Sequence, residues 1–274
     1  MTAKTISEIR SQFFFAEAEA GMYDASIDLV VPAYSSMHAM VLDIMRASRL
    51  TTEGHILDVG SGSGADSISI LKAFPRCRVC SLDLCAPIQE QHQRKLESLG
   101  KEQPSLLRRA TLLQGDILDY CSKMDALLER SGGALYSAVV SSLVIHHFSH
   151  AEKKRFYRLA HGLLKHGGVL INADLFAYRD PRVNGLANDF DRKWMTKHLI
   201  QPPDEFSEAK RLPIEVRKRL LRKWLRHYKD FNQLESLENS SRQGQVTMLR
   251  QIGFESVGVP YRFSLSGILV GYKK

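Results

Sequence analysis

The stretch HILDVGSGSGADS, residues 55–67, decides the fold of this 274-residue chain. Its first half is apolar apart from Asp58 and ends in Gly60, which is typical of a buried strand that enters a tight turn. Gly62 and Gly64 follow at alternate positions, before a run with helical apolar spacing. Glycines let a backbone approach a ligand closely, and a helix N-terminus offers N–H groups to a carboxylate. The stretch therefore predicts a strand, turn and helix that bind a nucleotide-like ligand.

The spacing of the glycines narrows the class of ligand. Dinucleotide-binding turns follow the order G-x-G-x-x-G, whereas this turn reads G-x-G-x-G after a leading acid, Asp58. That order fits a ligand whose amino-acid moiety, instead of a pyrophosphate, meets the turn. A tight connection that needs no ligand is the alternative interpretation.

Strand-like and helical runs alternate from about residue 50 to residue 175. The strand-like runs after the first are RVCSLDL, ATLLQGD, LYSAVVSSLVI and GVLINADL. Between them, one predicted helix begins at Pro87 and ends at Gly100, and another ends at Gly167 and Gly168. This alternation predicts an α/β fold, with helices on both faces of a parallel sheet and a ligand beyond the carboxyl ends of its strands.

The two ends of the chain and one long segment depart from this alternation. FESVGVPYRF and SLSGILVGYKK are extended runs separated by too few residues for a helix, so they predict a hairpin whose last strand is antiparallel to the rest. We therefore divide the chain into four parts. They are an N-terminal helical cap (1–49), a cofactor-binding α/β core (50–175), a helical insertion after the fifth strand (176–240), and a C-terminal helix with its hairpin (241–274).

The composition is that of an ordinary globular protein, with 44% hydrophobic and 25% charged residues. We expect a cytoplasmic protein without a membrane partner, because no apolar run approaches the ~20 residues of a membrane span and the N-terminus lacks the order of a signal peptide. Cys77 and Cys80 form a CxxC, but no second ligand pair accompanies them. Reduced thiols on or beside a buried strand are the better interpretation, and no metal site is predicted.

The formal net charge of +8 is concentrated in residues 210–229. This basic stretch is compatible with a patch that binds RNA or an acidic ligand. Its apolar residues, among them Leu220 and Trp224, roughly follow helical spacing, so a helix with a solvated basic face is the favoured interpretation.

Two acids follow predicted strands at positions suited to a dinucleotide or an adenosyl ligand. Asp83 lies about 20 residues beyond the glycine turn, where an acid can accept hydrogen bonds from both ribose hydroxyls. Asp116 can accept from an adenine amino group while Ile117 packs on the ring, although a simple turn aspartate is an alternative for Asp116. With the neighbouring Ser61 and Leu84, these residues are predicted cofactor contacts.

The motifs together resemble a known family. ILDVGSGSG, CSLDL, LLQGDIL, YSAVVSSLVIHHF and LLKHGGVLINADL are similar, in this order, to the motifs of class I S-adenosylmethionine-dependent methyltransferases. The similarity covers roughly residues 50–175, and LLRQIGFESV with the final hairpin extends it. The resemblance implies a Rossmann-like sheet of seven strands with the last strand antiparallel. It also implies S-adenosyl-L-methionine as the cofactor, with Asp58, Gly60 and Gly62 at its methionine end.

A narrower similarity lies before the first predicted strand. VPAYSSMHAMVLDIM resembles a helix of the carboxy-S-adenosylmethionine synthase group, a branch that acts in transfer-RNA modification. This resemblance implies that Tyr34 approaches the cofactor from above and that Ser142 contacts it. The arginine that holds the extra carboxylate in that branch has only a loose counterpart in Arg226, so ordinary methyl transfer is preferred.

His146 and His147 directly follow the fourth predicted strand, where an acceptor would enter. Either could be the general base for an acceptor that must lose a proton, because histidine titrates near neutral pH. A packed helix start is the alternative for each.

Three functions follow from these observations. The leading hypothesis is methyl transfer to O, N or C of a small molecule, such as a specialised metabolite. The others are transfer-RNA modification and a non-catalytic cofactor-binding partner. Nucleic acid is a less favoured partner than a small molecule, and a homodimer is compatible with the sequence.

Overall fold

The computed structural model describes residues 17–48, 53–206, 210–234 and 236–274. In this part of the chain seven strands form one sheet. The strands are β1 (Glu53–Val59), β2 (Arg76–Asp83), β3 (Ala110–Gln114), β4 (Tyr136–Ser142), β5 (Leu164–Leu175), β6 (Phe254–Phe263) and β7 (Ser266–Lys273).

The strand order is β3-β2-β1-β4-β5-β7-β6. Strands β1 to β5 pair in parallel, and β7 is antiparallel to both of its neighbours, β5 and β6. The predicted Rossmann-like sheet with an antiparallel last strand is therefore confirmed. The chain leaves β1 toward one edge and returns through β4 toward the other, which opens a crevice at the carboxyl ends of β1 and β4.

Helices cover both faces of the sheet. They are α1 (Glu17–Val30), α2 (Tyr34–Ala47), α3 (Ala65–Ala73), α4 (Ala86–Glu102), α5 (Pro104–Arg109), α6 (Ile117–Tyr120), α7 (Met124–Arg130), α8 (His150–Leu163), α9 (Pro181–Ile200), α10 (Ile214–Leu234), α11 (Leu237–Ser240) and α12 (Arg242–Ile252).

Alternate residues of the central strands feed two separate apolar cores. Ile56 packs on the face covered by α1, α2 and α3, whereas Leu57 packs on the opposite face, against α8 and α12. Cys77 and Cys80 are divided in the same way, because a separation of three residues places strand side chains on opposite faces. Both side chains are buried and neither forms a disulfide, in agreement with the interpretation as reduced thiols on a buried strand.

Two predicted helix ends are wrong. Helix α4 continues past Gly100 to Glu102. Helix α8 ends at Leu163, and Gly167 with Gly168 lies inside β5. Gly167 has a φ of 73°, and the pairing of β4 with β5 shifts register beside it. The glycine pair thus forms an irregularity at the start of a strand instead of terminating a helix.

Two helices outside the α/β core, α1 and α10, lie over the carboxyl edge of the sheet. Helix α1 lies within the predicted N-terminal helical cap, although the sequence pattern gave no bounds for it. It is attached by Asp24, which accepts from the Ser63 hydroxyl at 2.5 Å and pairs with Lys95 Nζ at 2.5 Å. Helix α10 buries Leu220 and Trp224 and exposes basic side chains, in agreement with the solvated basic face.

In the part of the chain that the structure describes, no single helix is long and apolar enough to cross a membrane. Two consecutive helical segments, Met22–Val30 and Tyr34–Ala47, are long and apolar enough only when they are counted together, and the chain bends by 92° between them.

We predict that His92 makes folding sensitive to acid. Its ring is fully buried against Gly64, both ring nitrogens lack a described partner, and burial together with Lys95 lowers its pKa to about 4. The unfolded chain takes up this proton near pH 6.5, so stability falls as the pH drops below that value. The expected loss from this group between pH 7 and pH 5 is about 2 kcal/mol.

Urea unfolding of His92→Leu at both pH values tests this prediction, because the variant should lose less stability than the unmodified protein. His166→Gln, which removes an exposed histidine, is the control. An equal fall in stability for His92→Leu and the unmodified protein would contradict the prediction.

Candidate active site

An open cavity lies at the carboxyl edge of the sheet. Its empty volume, which includes space continuous with the solvent, is about 1110 Å³. Strand ends form its floor, and helices α1 and α10 contribute its roof. Among the floor residues are Val59, Asp83, Ser142 and Leu175, and among the roof residues are Tyr23, Ile27 and Trp224. The cavity therefore occupies the crevice where doubly wound sheets bind ligands.

The glycine turn forms one wall of this cavity. Gly60, Gly62 and Gly64 all have positive φ, at 70°, 52° and 90°, a region that other residues enter only with strain. A Cβ on Gly60 would lie 2.1 Å from Cγ2 of Val144, so the turn packs directly against the loop after β4. The glycine at this position is required both by the conformation and by the contact.

Asp83 is the acid that faces the main cavity from β2. Its Oδ2 accepts from the Gly62 N–H at 2.7 Å and its Oδ1 accepts from the Cys85 N–H at 2.7 Å. Burial raises the pKa of Asp83, while these backbone bonds oppose the shift. The Leu84 N–H acts on the same carboxylate, and because two oxygens carry about four lone pairs, Asp83 still keeps acceptor capacity for a hydroxyl group in the cavity.

Asp116 lines the same cavity, at the start of α6. Its Oδ1 accepts from the Leu118 N–H at 2.9 Å, so it is an N-cap as well as a cavity residue. Ile117 is buried beside it, and Leu84 is 38% exposed at the cavity edge. The structure therefore brings Asp83, Leu84, Asp116 and Ile117 together around one space.

Three predicted cofactor residues lie elsewhere. Tyr34, Asp58 and Ser61 line a smaller adjacent cavity of about 310 Å³, which we call the side compartment. Gly60 and Ser142 line both cavities. The predicted contacts thus divide into two neighbouring groups.

Asp58 lies on the wall of the side compartment with 1% of its surface exposed. The Ser67 hydroxyl donates to its Oδ2 at 2.5 Å. Burial and the nearby Asp66 raise the pKa of Asp58 to about 8. Burial disfavours any charged form of the group, and the Asp66 carboxylate repels a second negative charge beside it.

His146 is held rigidly by an acid that the sequence did not reveal. Its Nδ1 lies 2.5 Å from Oδ1 of Asp174, and its backbone N–H donates to Oδ2 of Asp174 at 2.8 Å. Both side chains are buried, at 3% and 1% exposure. The ring of His147 lies 3.9 Å from that of His146, and both histidines line the main cavity.

The sequence patterns therefore missed several residues of the site. Asp174 has no distinguishing spacing, although its place at the end of β5 is where parallel sheets carry functional groups. Tyr23 comes from α1, a part of the predicted helical cap in which no site residue was named. Trp224 was interpreted only as part of the apolar face of the basic helix, and it lines the cavity as well.

In the described residues, no three His, Cys, Asp or Glu side chains come together as metal ligands. Arg226 is exposed on α10 and does not line either cavity, so the structure gives no support to its role in holding an extra carboxylate.

A comparison with protein families identifies one domain. Residues 57–170 match the family model described as a methyltransferase domain. The matched range includes the glycine turn, Asp83, Asp116 and His146. No curated protein matches the sequence at a significant level.

Solved structures of methyltransferases share the fold. Magnesium protoporphyrin IX methyltransferase from Synechocystis PCC 6803 with bound SAM has a TM-score of 0.57 and 15% identity, over 100% of both chains. A DhpI–SAM–HEP complex has a TM-score of 0.56 and 16% identity, over 99% of both chains. An O-methyltransferase family protein from Burkholderia thailandensis has a TM-score of 0.53 and 15% identity, over 88% of this chain and only 58% of that one. At such identities the similarity shows the fold alone, and it confirms the expected class I methyltransferase fold.

We predict different outcomes for alanine at two glycines of the turn. Gly62→Ala meets only Ile88 Cδ1, at 3.9 Å, so its cost is the positive φ, about 1–2 kcal/mol. Gly60→Ala adds overlap with Val144 and should cost about 2–5 kcal/mol. Urea unfolding of the two variants measures the difference, and equal losses would contradict the close packing of the turn.

Proposed function

We propose that this chain, which carries a methyltransferase domain over residues 57–170 on the class I fold, transfers the methyl group of S-adenosyl-L-methionine to a hydroxyl group of a small molecule. The observation that carries the proposal is that one cavity contains both Asp83, beside the glycine turn, and the buried His146–Asp174 pair. Asp83 beside the glycine turn is suited to binding the nucleoside part of the cofactor. The His146–Asp174 pair is suited to removing a proton from the acceptor hydroxyl.

The residues present fit the cofactor. Asp83 presents a buried carboxylate that can accept from the ribose, and Asp116, the N-cap of α6, lines the same cavity where a carboxylate can accept from an adenine amino group. Ile117 offers an apolar surface to the ring. When bound, S-adenosyl-L-methionine supplies a methyl group made electrophilic by its sulfonium. The chain's own contribution is to hold the reactants in line, which can supply ~7–11 kcal/mol of the barrier.

The pair of His146 and Asp174 is suited to general-base work. Asp174 accepts from the backbone N–H groups of His146 and Leu175, so its carboxylate acts as an acceptor and Nδ1 of His146 carries the proton. Nε2 is then the nitrogen that can take a proton from an acceptor hydroxyl. Asp174 would stabilise the imidazolium formed in that step.

The walls of the cavity indicate the class of acceptor. Apart from Asp83, Asp116 and the two histidines, every described lining residue is uncharged, and several are large and apolar. Trp224 contributes a flat aromatic surface from the roof. A planar, largely apolar molecule that carries a hydroxyl matches these walls.

The comparisons support a small-molecule acceptor. Two of the similar proteins are named as a magnesium protoporphyrin IX methyltransferase and an O-methyltransferase family protein. We extend that acceptor class to this chain, together with a cytoplasmic location, which the four free cysteines support.

Transfer-RNA modification is the second candidate, and one observation favours it. Arg219, Arg222 and Arg226 are exposed on α10, and none of them forms an ion pair with a described residue. RNA binding through these side chains would weaken steeply with salt, whereas a small-molecule enzyme would show no such binding.

We predict that Asp83→Ala weakens binding of S-adenosyl-L-methionine by about tenfold to a hundredfold, because charge-assisted hydrogen bonds to the ribose are lost. Isothermal titration calorimetry measures the affinity. Asp119→Ala, an acid on α6 outside the cavity lining, is the matched control. Unchanged affinity in Asp83→Ala would contradict the cofactor site, and absence of binding to the unmodified protein would contradict the proposed function.

We predict that His146→Gln lowers kcat by about 10²–10⁴-fold with a phenolic acceptor found by methyl-transfer screening, because the general base is lost. Asp174→Asn should lower kcat in the same direction. Cofactor affinity should stay within about twofold in both variants. The loss should shrink at alkaline pH, where a phenol of pKa near 10 ionises without a base. A loss of cofactor affinity with kcat unchanged would contradict the base assignment.

A further inference from the structure

The side compartment contains a second set of polar groups that the proposed chemistry does not use. Helices α1 and α2 contribute Tyr23, Tyr34 and His38, while the core contributes Asp58, Ser61 and Asp66. The compartment adjoins the main cavity, because Tyr23, Gly60, Gly62 and Ser142 line both.

His38 is fixed by a chain of hydrogen bonds. Its Nδ1 lies 2.6 Å from Oδ1 of Asp66, and the Ser142 hydroxyl donates to Oδ2 of Asp66 at 2.5 Å. The edge-to-face contact with Tyr34, at 4.3 Å between ring centroids, fixes the plane of the imidazole. Asp66 therefore orients His38 so that Nδ1 is its donor to the acid.

The other nitrogen of His38 has no partner in the described part of the chain. Nε2 is buried, although 14% of the side chain as a whole is exposed. The hydroxyl of Ser61, a residue with only 7% exposure, is also buried without a described partner. Two unpartnered polar groups thus belong to the wall of one compartment, and buried polar groups of this kind normally meet a ligand or water.

The acids of the compartment complement these donors. Asp58 lies on its wall, and a bound ammonium group would supply the counter-charge that favours its ionised form. A protonated His38 and the Ser61 hydroxyl are suited to a carboxylate. The compartment therefore offers separate places for the two charges of an α-amino acid.

We propose that His38, oriented by Asp66, binds the α-carboxylate at the methionine end of the cofactor, with Asp58 facing the α-ammonium group. This inference rests on the proposed function, because it assigns binding residues to the amino-acid part of the same cofactor. It makes His38 a residue that distinguishes the complete amino-acid cofactor from an analogue without the carboxylate.

The surroundings of His38 favour its charged form. Burial lowers its pKa, but Asp66 on α3, Asp58 on β1 and Asp28 on α1 together raise the pKa above its usual value. Tyr34, on the same helix, is neutral at these pH values because burial holds its pKa well above the usual range. Affinity for a carboxylate should therefore fall as the pH rises through the pKa of His38, when the imidazolium loses its proton.

The experiment compares two ligands that differ in one group. Isothermal titration calorimetry is run with S-adenosylhomocysteine and with its decarboxylated analogue, which keeps the amine. The unmodified protein should prefer S-adenosylhomocysteine by about tenfold to a hundredfold, and the preference should fall as the pH rises. His38→Ala should remove most of this preference while 5′-methylthioadenosine, which lacks the amino-acid end, binds as before.

Two further variants keep the test decisive. Arg46→Ala removes an exposed cation from the same helix and should leave the preference intact. His38→Gln retains side-chain length and a hydrogen-bond donor, so it should fold and should show a reduced preference without pH dependence. A full, pH-dependent preference in His38→Gln would overturn the inference. Failure of the unmodified protein to bind S-adenosylhomocysteine would instead overturn the proposed function.

Discussion

The site depends on the contact between the glycine turn and the loop after β4. Gly60 has room for no Cβ, because Val144 occupies the space where one would lie. This contact joins the two sides of the crevice, one of which carries Asp83 and the other His146. A larger residue at Gly60 would separate the loops. A ligand held by one half would then no longer face the base on the other.

Backbone N–H groups hold the acids of the site in place. Asp83 accepts from Gly62 and Cys85, and Asp174 accepts from His146 and Leu175. Burying a carboxylate is unfavourable, and these donors compensate for part of that cost while fixing the loops that follow the strands. Each acid thus serves the local structure and the chemistry at once, since its remaining lone pairs or its charge act on a ligand or a histidine.

The helices over the carboxyl edge determine what else fits in the cavity. Helix α1 reaches the glycine turn through Asp24, and α10 supplies Trp224. Neither helix belongs to the alternating strands and helices that build the sheet. The shape of the acceptor space can therefore change without altering the cofactor positions, which is why a common fold serves many acceptors.

The sequence by itself determined the features that depend on neighbours along the chain. Strand and helix periodicity predicted the sheet, and the glycine spacing predicted the turn. In the structure all three glycines of that turn have positive φ. The prediction that Gly167 and Gly168 end a helix was wrong. A glycine pair can end a helix or lie in an irregular strand, and only the pairing of β5 with β4 determines which of the two forms.

Only the tertiary structure decided which polar groups meet. His38 with Asp66, and His146 with Asp174, are each 28 residues apart in sequence, and no periodic pattern links such positions. The first pair forms because α2 packs against α3, and the second because β4 and β5 lie side by side. Local conformation is encoded in short stretches of chain, whereas the partners of a buried charge are fixed by packing between distant elements.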